Sequence, residues 1–405
     1  MVIAYISYEH PESISGGGIG TYIGQLSKLM ALRGHHVEVF SGTFDTINSH
    51  LNIDGYQLNL IFAETKEDFR KNVLSVFEVR HQLVSFEIME SPEFGADALY
   101  IKKAYPKLPL TLKLHTPSFL VEELNAFNRS WKDKLRFTVG GLLRGKMSKP
   151  YWRYRKNDDL EYELFNLAET ISSPSKSLAK IVGKRWNNKK IVSILPLPFE
   201  VSDELKKIKY PELSSQGITV TFIGKLEKRK GILDLMNAVP QILRLFPTIR
   251  FRFVGKGSFS PNPKLDMISY IKTKLHIYED SLEFLGFQDY DRLPIILEES
   301  HICIFPSHWE NFPNVCLEAM AARRLVIGTN NGGMADMIIN NTNGILIPPN
   351  SPKAIFKAVI GLVRNLNELE NLRDSAQKTI LSNYNGLLIG DLTENLYKKT
   401  ITFYE

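Results

Sequence analysis

Cysteine is scarce in this chain: Cys303 and Cys316 are the only two among 405 residues. A disulfide framework is therefore excluded, and the two thiols read as buried side chains of a reducing compartment. No group of His, Cys, Asp and Glu has metal-ligand spacing. No run of about 18 apolar residues occurs, so no transmembrane helix is expected. The opening stretch Met1–Ser7 is apolar but lacks a basic leader, and it reads as a first strand rather than a signal peptide. What remains is the composition of a soluble globular protein, 43% hydrophobic and 23% charged. Its length suits two domains of roughly 150–200 residues.

Acid is locally missing as well. Between Asn128 and Lys156 stand ten Lys or Arg and one acid, Asp133, although the whole chain carries a net charge of only +6. Trp131, Phe137, Tyr151, Trp152 and Tyr154 are interleaved with these cations. A basic, aromatic segment of this kind can lie on an anionic membrane surface or meet a lipid-linked acceptor. It can also be a solvated insertion. No helix-turn-helix, zinc-finger or RNA-binding signature accompanies it, so nucleic acid is not expected as a partner. The resulting location is cytoplasmic, with the inner face of the cell membrane as an extension of it.

Two halves open in the same way, with strand, glycine-containing loop, amphipathic helix and strand. Val2–Ile6 leads into Ser15-Gly16-Gly17-Gly18-Ile19-Gly20, then a helix over 21–32 with Tyr22, Ile23, Leu26, Leu29 and Met30 at helical spacing, then a strand from His36. Ile218–Ile223 leads into Gly224–Gly231, a helix over 232–245 and the strand Arg250–Val254. Alternation continues in both halves, which predicts an α/β fold of two doubly wound, Rossmann-like domains. The expected limits are 1–199, a polar linker over 200–215, 216–385, and a last helix over 386–405. Its Leu387, Leu388, Leu392, Leu396 and Tyr397 form an apolar pattern that can pack locally or cross back onto the first domain. Ligands of open α/β sheets bind at the carboxyl ends of the strands, which points to a cleft between the two domains.

Chemistry concentrates after the apolar strand His301–Phe305. Glu310 and Glu318 follow it with seven residues between them. Pro313 suits the first position of a helix, which places Glu310 on the approaching loop and Glu318 in the second turn. That helix is apolar almost all round (Val315, Cys316, Leu317, Ala319, Met320), so Glu318 should be buried and must find partners. Its amino-terminal amides, at Asn314 and Val315, suit an anion. Upstream, Lys225, Lys228, Arg229 and Lys230 crowd the loop Gly224–Gly231, where a diphosphate can meet cations and N–H groups together. Gly16–Gly20 does not fit G-x-G-x-x-G, since Thr21 stands at the last position counted from Gly16. Glu38 could imitate a ribose-binding acid, which keeps a dinucleotide reading open. Asp289-Tyr290-Asp291 has the form of a metal-binding pair but sits between a strand and a helix, where Asp289 or Asp291 reads as an N-cap or first-turn acid.

Pro-Ser-x-x-Glu-x-Phe at 306–312, Leu-Glu-Ala-Met-Ala at 317–321 and Gly332-Gly333-x-x-Asp336 together resemble the donor-binding segment of family 4 of the retaining glycosyltransferases. The resemblance implies the GT-B fold, with a nucleoside diphosphate sugar donor held by the second domain and a carbohydrate or lipid-linked acceptor by the first. It implies that Glu310 contacts the donor sugar and Glu318 the ribose hydroxyls, with Gly224, Asn311, Phe312, Asn314 and Val315 beside them. Lys225 and Lys230 match the family's two diphosphate-holding cations, although Lys225 stands where Arg is usual. His115, at the end of the strand Leu110–Leu114, matches a histidine that contacts the sugar. Gly17 and Gly18 match a loop that approaches the donor phosphate. Glu90 and Glu93, which end another strand, are candidates for acceptor contacts or for structure at the cleft. No cofactor and no metal are implied. Asp336 replaces the usual Glu, and Arg323-Arg324 replaces the usual helix-ending Gly and Pro, which predicts a left-handed Arg323. A nucleotide-sugar epimerase or sugar phosphorylase of related fold, or a non-catalytic nucleotide-sugar-binding scaffold, are the alternatives.

Overall fold

The computed structural model describes residues 1–14, 17–127, 135, 139–141, 143, 154–187, 190–212 and 217–404. The chain divides into two compact units, Met1–Pro198 with Gly386–Glu405, and Phe199–Asn385. Most of the basic, aromatic stretch 128–156, Ser15 and Gly16 of the glycine loop, and 213–216 of the expected linker lie outside the described residues.

The first unit is built on β1 (Val2–Ile6), β2 (His36–Thr43), β3 (Ser49–Ile53), β4 (Tyr56–Phe62), β5 (Ile88–Pro92), β6 (Leu110–Lys113), β7 (Thr170–Ser173) and β8 (Val192–Ile194). They form one sheet in the order β3-β4-β2-β1-β5-β6-β7-β8. Only β3 runs antiparallel, on β4 at the edge. The central strands read as nearly unbroken apolar runs because helices cover both faces, and Ile3, Val39, Ile88, Leu112 and Ile171 are wholly buried. Each such side chain contributes about 1.5–3 kcal/mol of burial. The helix after β1 spans Gly18–Leu32, three residues longer at its start than the apolar period indicated.

The helix Gly386–Ile401 packs on the first unit. Its buried stripe is Ile389, Gly390, Thr393, Leu396, Tyr397 and Thr400, whereas Leu387, Leu388 and Leu392 are exposed. The expected leucine pattern is thus wrong for three of its five members. Polar contacts decide the helix's rotation: Thr400 bonds to Thr111 and Thr170 at 3.0 and 2.7 Å, and Tyr397 reaches Glu90 at 2.8 Å. Arg33 pairs with Glu394 at 2.6 Å on the same helix.

The second unit contains β9 (Thr219–Ile223), β10 (Arg250–Val254), β11 (Leu282–Gly286), β12 (Ile302–Phe305), β13 (Leu325–Thr329) and β14 (Ile345–Ile347), all parallel, in the order β11-β10-β9-β12-β13-β14. Val220, Phe251, Phe253, Ile302, Ile304 and Ile327 pack with Ile232, Leu235, Val239 and Ile242 of the helix after β9. Residues 200–212 do not form a free linker. Ser202 caps a helix over Asp203–Lys207, Val201 and Leu205 are buried, and the Lys209 carbonyl accepts from the fully buried Arg324 at 2.8 Å. The polar composition of the stretch concealed those apolar anchors.

Strand order reverses at β9 and β12, which are neighbours. Their following loops, 224–231 and 306–313, therefore leave the sheet side by side at a switch point. Gly231 lies at φ 73, and a Cβ there would fall 1.9 Å from the carbonyl oxygen of Pro306. Only glycine lets the two loops approach so closely.

Candidate functional site

In the second unit, the short 3₁₀ turn Lys228–Lys230 aims two cations at one acid. Glu310 Oε1 lies 2.5 Å from Lys230 Nζ and 3.3 Å from Arg229 Nη1. Arg229 also holds Glu227 at 2.8 Å, while Lys225 is more than half exposed and stands 3.7 Å from Glu227. Arg229, which the motif comparison passed over, is thus nearer the acid than Lys225. The signal was present in the Lys228-Arg229-Lys230 run, but a linear spacing cannot tell which member of a 3₁₀ turn faces inward.

Backbone contacts fix Glu310 from both sides. The Gly333 N–H donates to its carbonyl at 2.8 Å, and a Cβ on Gly332 would fall 2.1 Å from that same oxygen. His308, two residues earlier, donates its backbone N–H to the Arg229 carbonyl at 2.8 Å, and its ring Nε2 lies 2.8 Å from Asp234 Oδ2. The Asp234–His308 pair braces the acid-bearing loop to the helix that follows the cations. Neither residue was singled out from sequence.

The next helix runs Asn314–Ala321, with Pro313 one position before it at φ −76, ψ 109. Pro313 is the cap rather than the first helical residue, because its extended ψ carries the chain in from the loop. Asn314 and Val315 open the first turn. Phe312 is buried edge-on against Tyr384, their ring centroids 5.7 Å apart. Glu318 is 4% exposed. Burial pushes its carboxyl up to about 7, with the nearby Tyr290 hydroxyl pulling the other way. Glu318 Oε2 has no partner among the described residues. A buried carboxylate oxygen left open in this way is costly unless something else fills it. Glu318 and Glu310 thus differ: one is half-satisfied and enclosed, the other neutralised at a loop.

Gly224 leaves β9 at φ 144 and begins the cation loop. Asp336 sits in a four-residue turn of helix, Met334–Met337, that follows Gly332-Gly333. Arg323 has φ 57, the left-handed conformation expected where no glycine ends the helix. Asp289 precedes a 3₁₀ turn over Tyr290–Arg292, with its carbonyl rather than its side chain bonded there. No group of three or more His, Cys, Asp or Glu that could hold a metal occurs among the described residues.

The remaining candidates lie in the first unit. Gly17 has φ 120 and precedes the helix whose first residue is Gly18; a Cβ at either would meet no atom within 4 Å. Conformation therefore requires glycine at Gly17, and space does not require it at Gly18. His115 is buried, its ring 5.1 Å from that of Tyr22, and burial with the neighbouring Lys113 and Lys66 lowers its pKa to about 3. It stays neutral through the physiological range. Its backbone N–H donates to Glu93 Oε2 at 2.7 Å. Glu93 is fully buried beside Glu161, and burial first, then that like charge, pushes its carboxyl up to about 8.

Glu90 was expected at an acceptor or in structure at the cleft. It is instead enclosed within the first unit, 0% exposed, accepting from Tyr22 at 2.6 Å and from Tyr397 at 2.8 Å. Lys113 provides the nearby positive charge and donates to the Leu195 carbonyl at 2.6 Å. Both oxygens of Glu90 have protein partners, so the acid is part of the packing that seats the last helix. Position at a strand end suggested a ligand contact; the tyrosines that occupy it lie 68 and 307 residues away in sequence.

Residues 204–379 match the model of the family described as Glycosyl transferases group 1. Spore coat protein SA of Bacillus subtilis is 22% identical over 406 residues, covering 98% of this chain and 100% of that protein. Sucrose-phosphate synthase from Thermosynechococcus elongatus superposes with a TM-score of 0.73 at 18% identity, over 99% of this chain and 100% of that one. Anabaena Alr3699/HepE, solved in complex with UDP, gives 0.68 at 14%, over 98% and 100%. The chain therefore has the GT-B fold, and its residues 204–379 match the glycosyl transferases group 1 model.

Proposed function

We propose that this protein is a retaining glycosyltransferase of family 4 that moves a hexosyl unit from a nucleoside diphosphate sugar to an acceptor hydroxyl. The observation that carries the reading is the convergence of Lys230 and Arg229 on Glu310, where β9 and β12 end side by side. An incoming diphosphate can draw on these cations while the sugar hydroxyls take their place on Glu310. Helix-end amides at Asn314 and Val315 add about 0.3–1 kcal/mol. A charge-assisted hydrogen bond is worth about 1.5–3 kcal/mol, so the cations carry more of the stabilisation of a departing diphosphate. In this reading Lys225 and Lys230 hold the leaving group without a metal ion, and the departing oxygen accepts the acceptor's proton on the face it leaves. Glu310 positions the sugar and Glu318 the ribose; neither is assigned as a general acid or base. The neighbour solved with UDP supports a nucleotide-sugar donor, and the relative named spore coat protein SA supports a cell-surface product, which in this reading is a polysaccharide or lipid-linked oligosaccharide. No helix among the described residues is long and apolar enough to cross a membrane, and a peripheral position through 128–156 belongs to the proposal.

Thermal-shift screening against UDP-, GDP-, ADP- and dTDP-sugars should show stabilisation by at least one, and labelled donor should yield a glycosylated acceptor. Stabilisation by none would overturn the reading. Transfer to no hydroxyl, with nucleotide still bound, would indicate a binding scaffold; isomerised donor would indicate an epimerase. Glu310→Gln should lower kcat, whereas Glu318→Gln should mainly raise the donor KM.

A further inference from the structure

The two cations that meet Glu310 are not held alike. Among the described residues, Lys230 Nζ has one acidic partner, Glu310 Oε1 at 2.5 Å. Arg229 spreads its guanidinium over two acids, with Nη2 2.8 Å from Glu227 Oε1 and Nη1 3.3 Å from Glu310 Oε1. The side chains of Glu227 and Glu310 are 22% and 13% exposed, so the fork bridges two partly desolvated carboxylates. Its main chain is tied down as well. The Arg229 carbonyl accepts from the His308 N–H at 2.8 Å, on the loop that carries Glu310. The 3₁₀ turn also closes on itself: the Lys230 N–H donates to the Glu227 carbonyl, and the Gly231 N–H to the Lys228 carbonyl, both at 3.0 Å. Gly231 is pressed against the Pro306 carbonyl, so the turn has no slack as a body. An arriving diphosphate can draw away a side chain but not the turn. Releasing Lys230 leaves Glu310 one cation; releasing Arg229 would strip two acids, and Glu227 would keep only Lys225 at 3.7 Å.

We infer that Arg229 is a positioning residue: it keeps Oε1 of Glu310 anchored when the donor diphosphate takes Lys230, so that the acid still faces the donor sugar. The inference rests on the donor reading above. Lysine suits release, being a compact charge on a flexible stem, whereas a guanidinium fork fixed on two carboxylates holds its plane. Both cations bond to Oε1, and Oε2 takes part in neither pair. With Arg229 in place, that second oxygen is aimed before the sugar arrives. Without it, departure of Lys230 frees the carboxylate to turn about its broad terminal torsion, and the sugar hydroxyls must order it at a cost in affinity.

The test is calorimetric titration of UDP-glucose, GDP-mannose and ADP-glucose, each against its bare nucleoside diphosphate, with thermal melts beside it. The proteins are wild type, Arg229→Ala, Arg229→Lys, Lys230→Ala, Glu310→Gln and the Arg229→Ala, Glu310→Gln double variant. The readout is the ratio of sugar-nucleotide affinity to bare-nucleotide affinity, from which a simple loss of positive charge cancels. Glu310→Gln should lower this ratio about tenfold, the scale of one hydrogen bond to a charged group. Arg229→Ala should lower it about fivefold, because the acid remains but is no longer aimed. Lys230→Ala should weaken both ligands and leave the ratio near that of wild type. Arg229→Lys should restore bare-nucleotide affinity and only part of the ratio, and it carries the test should the alanine variant melt early. The double variant should show the ratio of Glu310→Gln alone. An unchanged ratio in Arg229→Ala, with bare nucleotide lost as in Lys230→Ala, would make Arg229 a diphosphate ligand; the inference would fall and the donor reading stand. Losses that multiply in the double variant would have the same consequence. If wild type binds none of the probes, or Glu310→Gln leaves the ratio untouched, the donor reading fails and this inference with it.

Discussion

The two units place acids in similar positions relative to a parallel sheet but treat them differently. In the first, Glu90 is enclosed by two tyrosine hydroxyls and a buried lysine, and its pKa is raised by burial above all. In the second, Glu310 is met by the cations of a loop, and Glu318 keeps one oxygen open. The difference lies in who supplies the partner. An acid satisfied on both oxygens from within is part of the packing, because replacing any partner would strand a desolvated charge. An acid paired with exchangeable loop cations, or left half-satisfied, keeps capacity for a ligand. Glu93 falls between: one oxygen accepts the His115 amide and the other has no partner among the described residues. It is the more site-like of the two acids in the first unit.

The sharpest way to break this contrast is to remove a cation from the second unit. Lys230→Ala should lower kcat/KM about 10²–10³-fold, the usual cost of losing one group that stabilises developing negative charge. The melting temperature should stay nearly unchanged, since Arg229 still faces Glu310. Steady-state kinetics beside a thermal melt separates the two. A protein that melts much earlier, with kcat/KM intact, would place Glu310 among the structural acids with Glu90.

A smaller effect is expected at Glu93, and it depends on pH. Its pKa in the folded chain is about 8 against an ordinary 4.5, raised first by burial and then by Glu161. The folded state therefore binds the proton more tightly than the unfolded one. The stability this brings is fully present below about pH 4.5 and is lost as pH rises through 8. Glu161, raised to about 6 chiefly by burial, broadens the same window. Glu93→Gln keeps an acceptor for the His115 amide but carries no charge. It should leave stability unchanged at pH 4 and raise it by about 2 kcal/mol at pH 9, less than full linkage because water relaxes around an ionised group. Denaturant melts at the two pH values decide this, and equal effects at both would show that Glu93 does not titrate in this range.

Much of this organisation is legible in the sequence. Unbroken apolar strands, helical spacing and glycine at the loop exits follow from local periods, and they lead to two parallel-sheet units. The enclosed position of Glu318 follows from the apolar residues around it in its own helix. Other features depend on partners distant in the chain. Nothing near Glu90 announces Tyr397, and nothing near Glu318 announces Tyr290. The rotation of the last helix is another case: Leu387, Leu388 and Leu392 look like its buried face, but the threonines and Tyr397 find hydrogen bonds on the sheet that those leucines cannot make. The pairing of Arg229 with Glu310 depends on a 3₁₀ turn, whose tighter winding sends neighbouring side chains in different directions.

The smallest expected effect tests whether the open oxygen of Glu318 reflects a ligand seat or a strained helix. That helix ends at Ala321, and Arg323 two residues later holds the left-handed conformation at φ 57. An L-residue there costs about 1–2 kcal/mol. Arg323 recovers part of this through ion pairs with Asp374 and, at 3.6 Å, Glu370, pairs at the surface worth about 0–1 kcal/mol. Arg323→Gly removes both the strain and the pairs, and should stabilise the protein by about 0.5–1 kcal/mol, raising its melting temperature by about 2 °C. If the open oxygen of Glu318 is a ligand seat, relaxing the far end of its helix leaves nucleotide affinity where it was. Were affinity to change together with stability, the half-satisfied acid would owe its position to strain at Arg323, and the contrast between the two units would rest on how one helix ends.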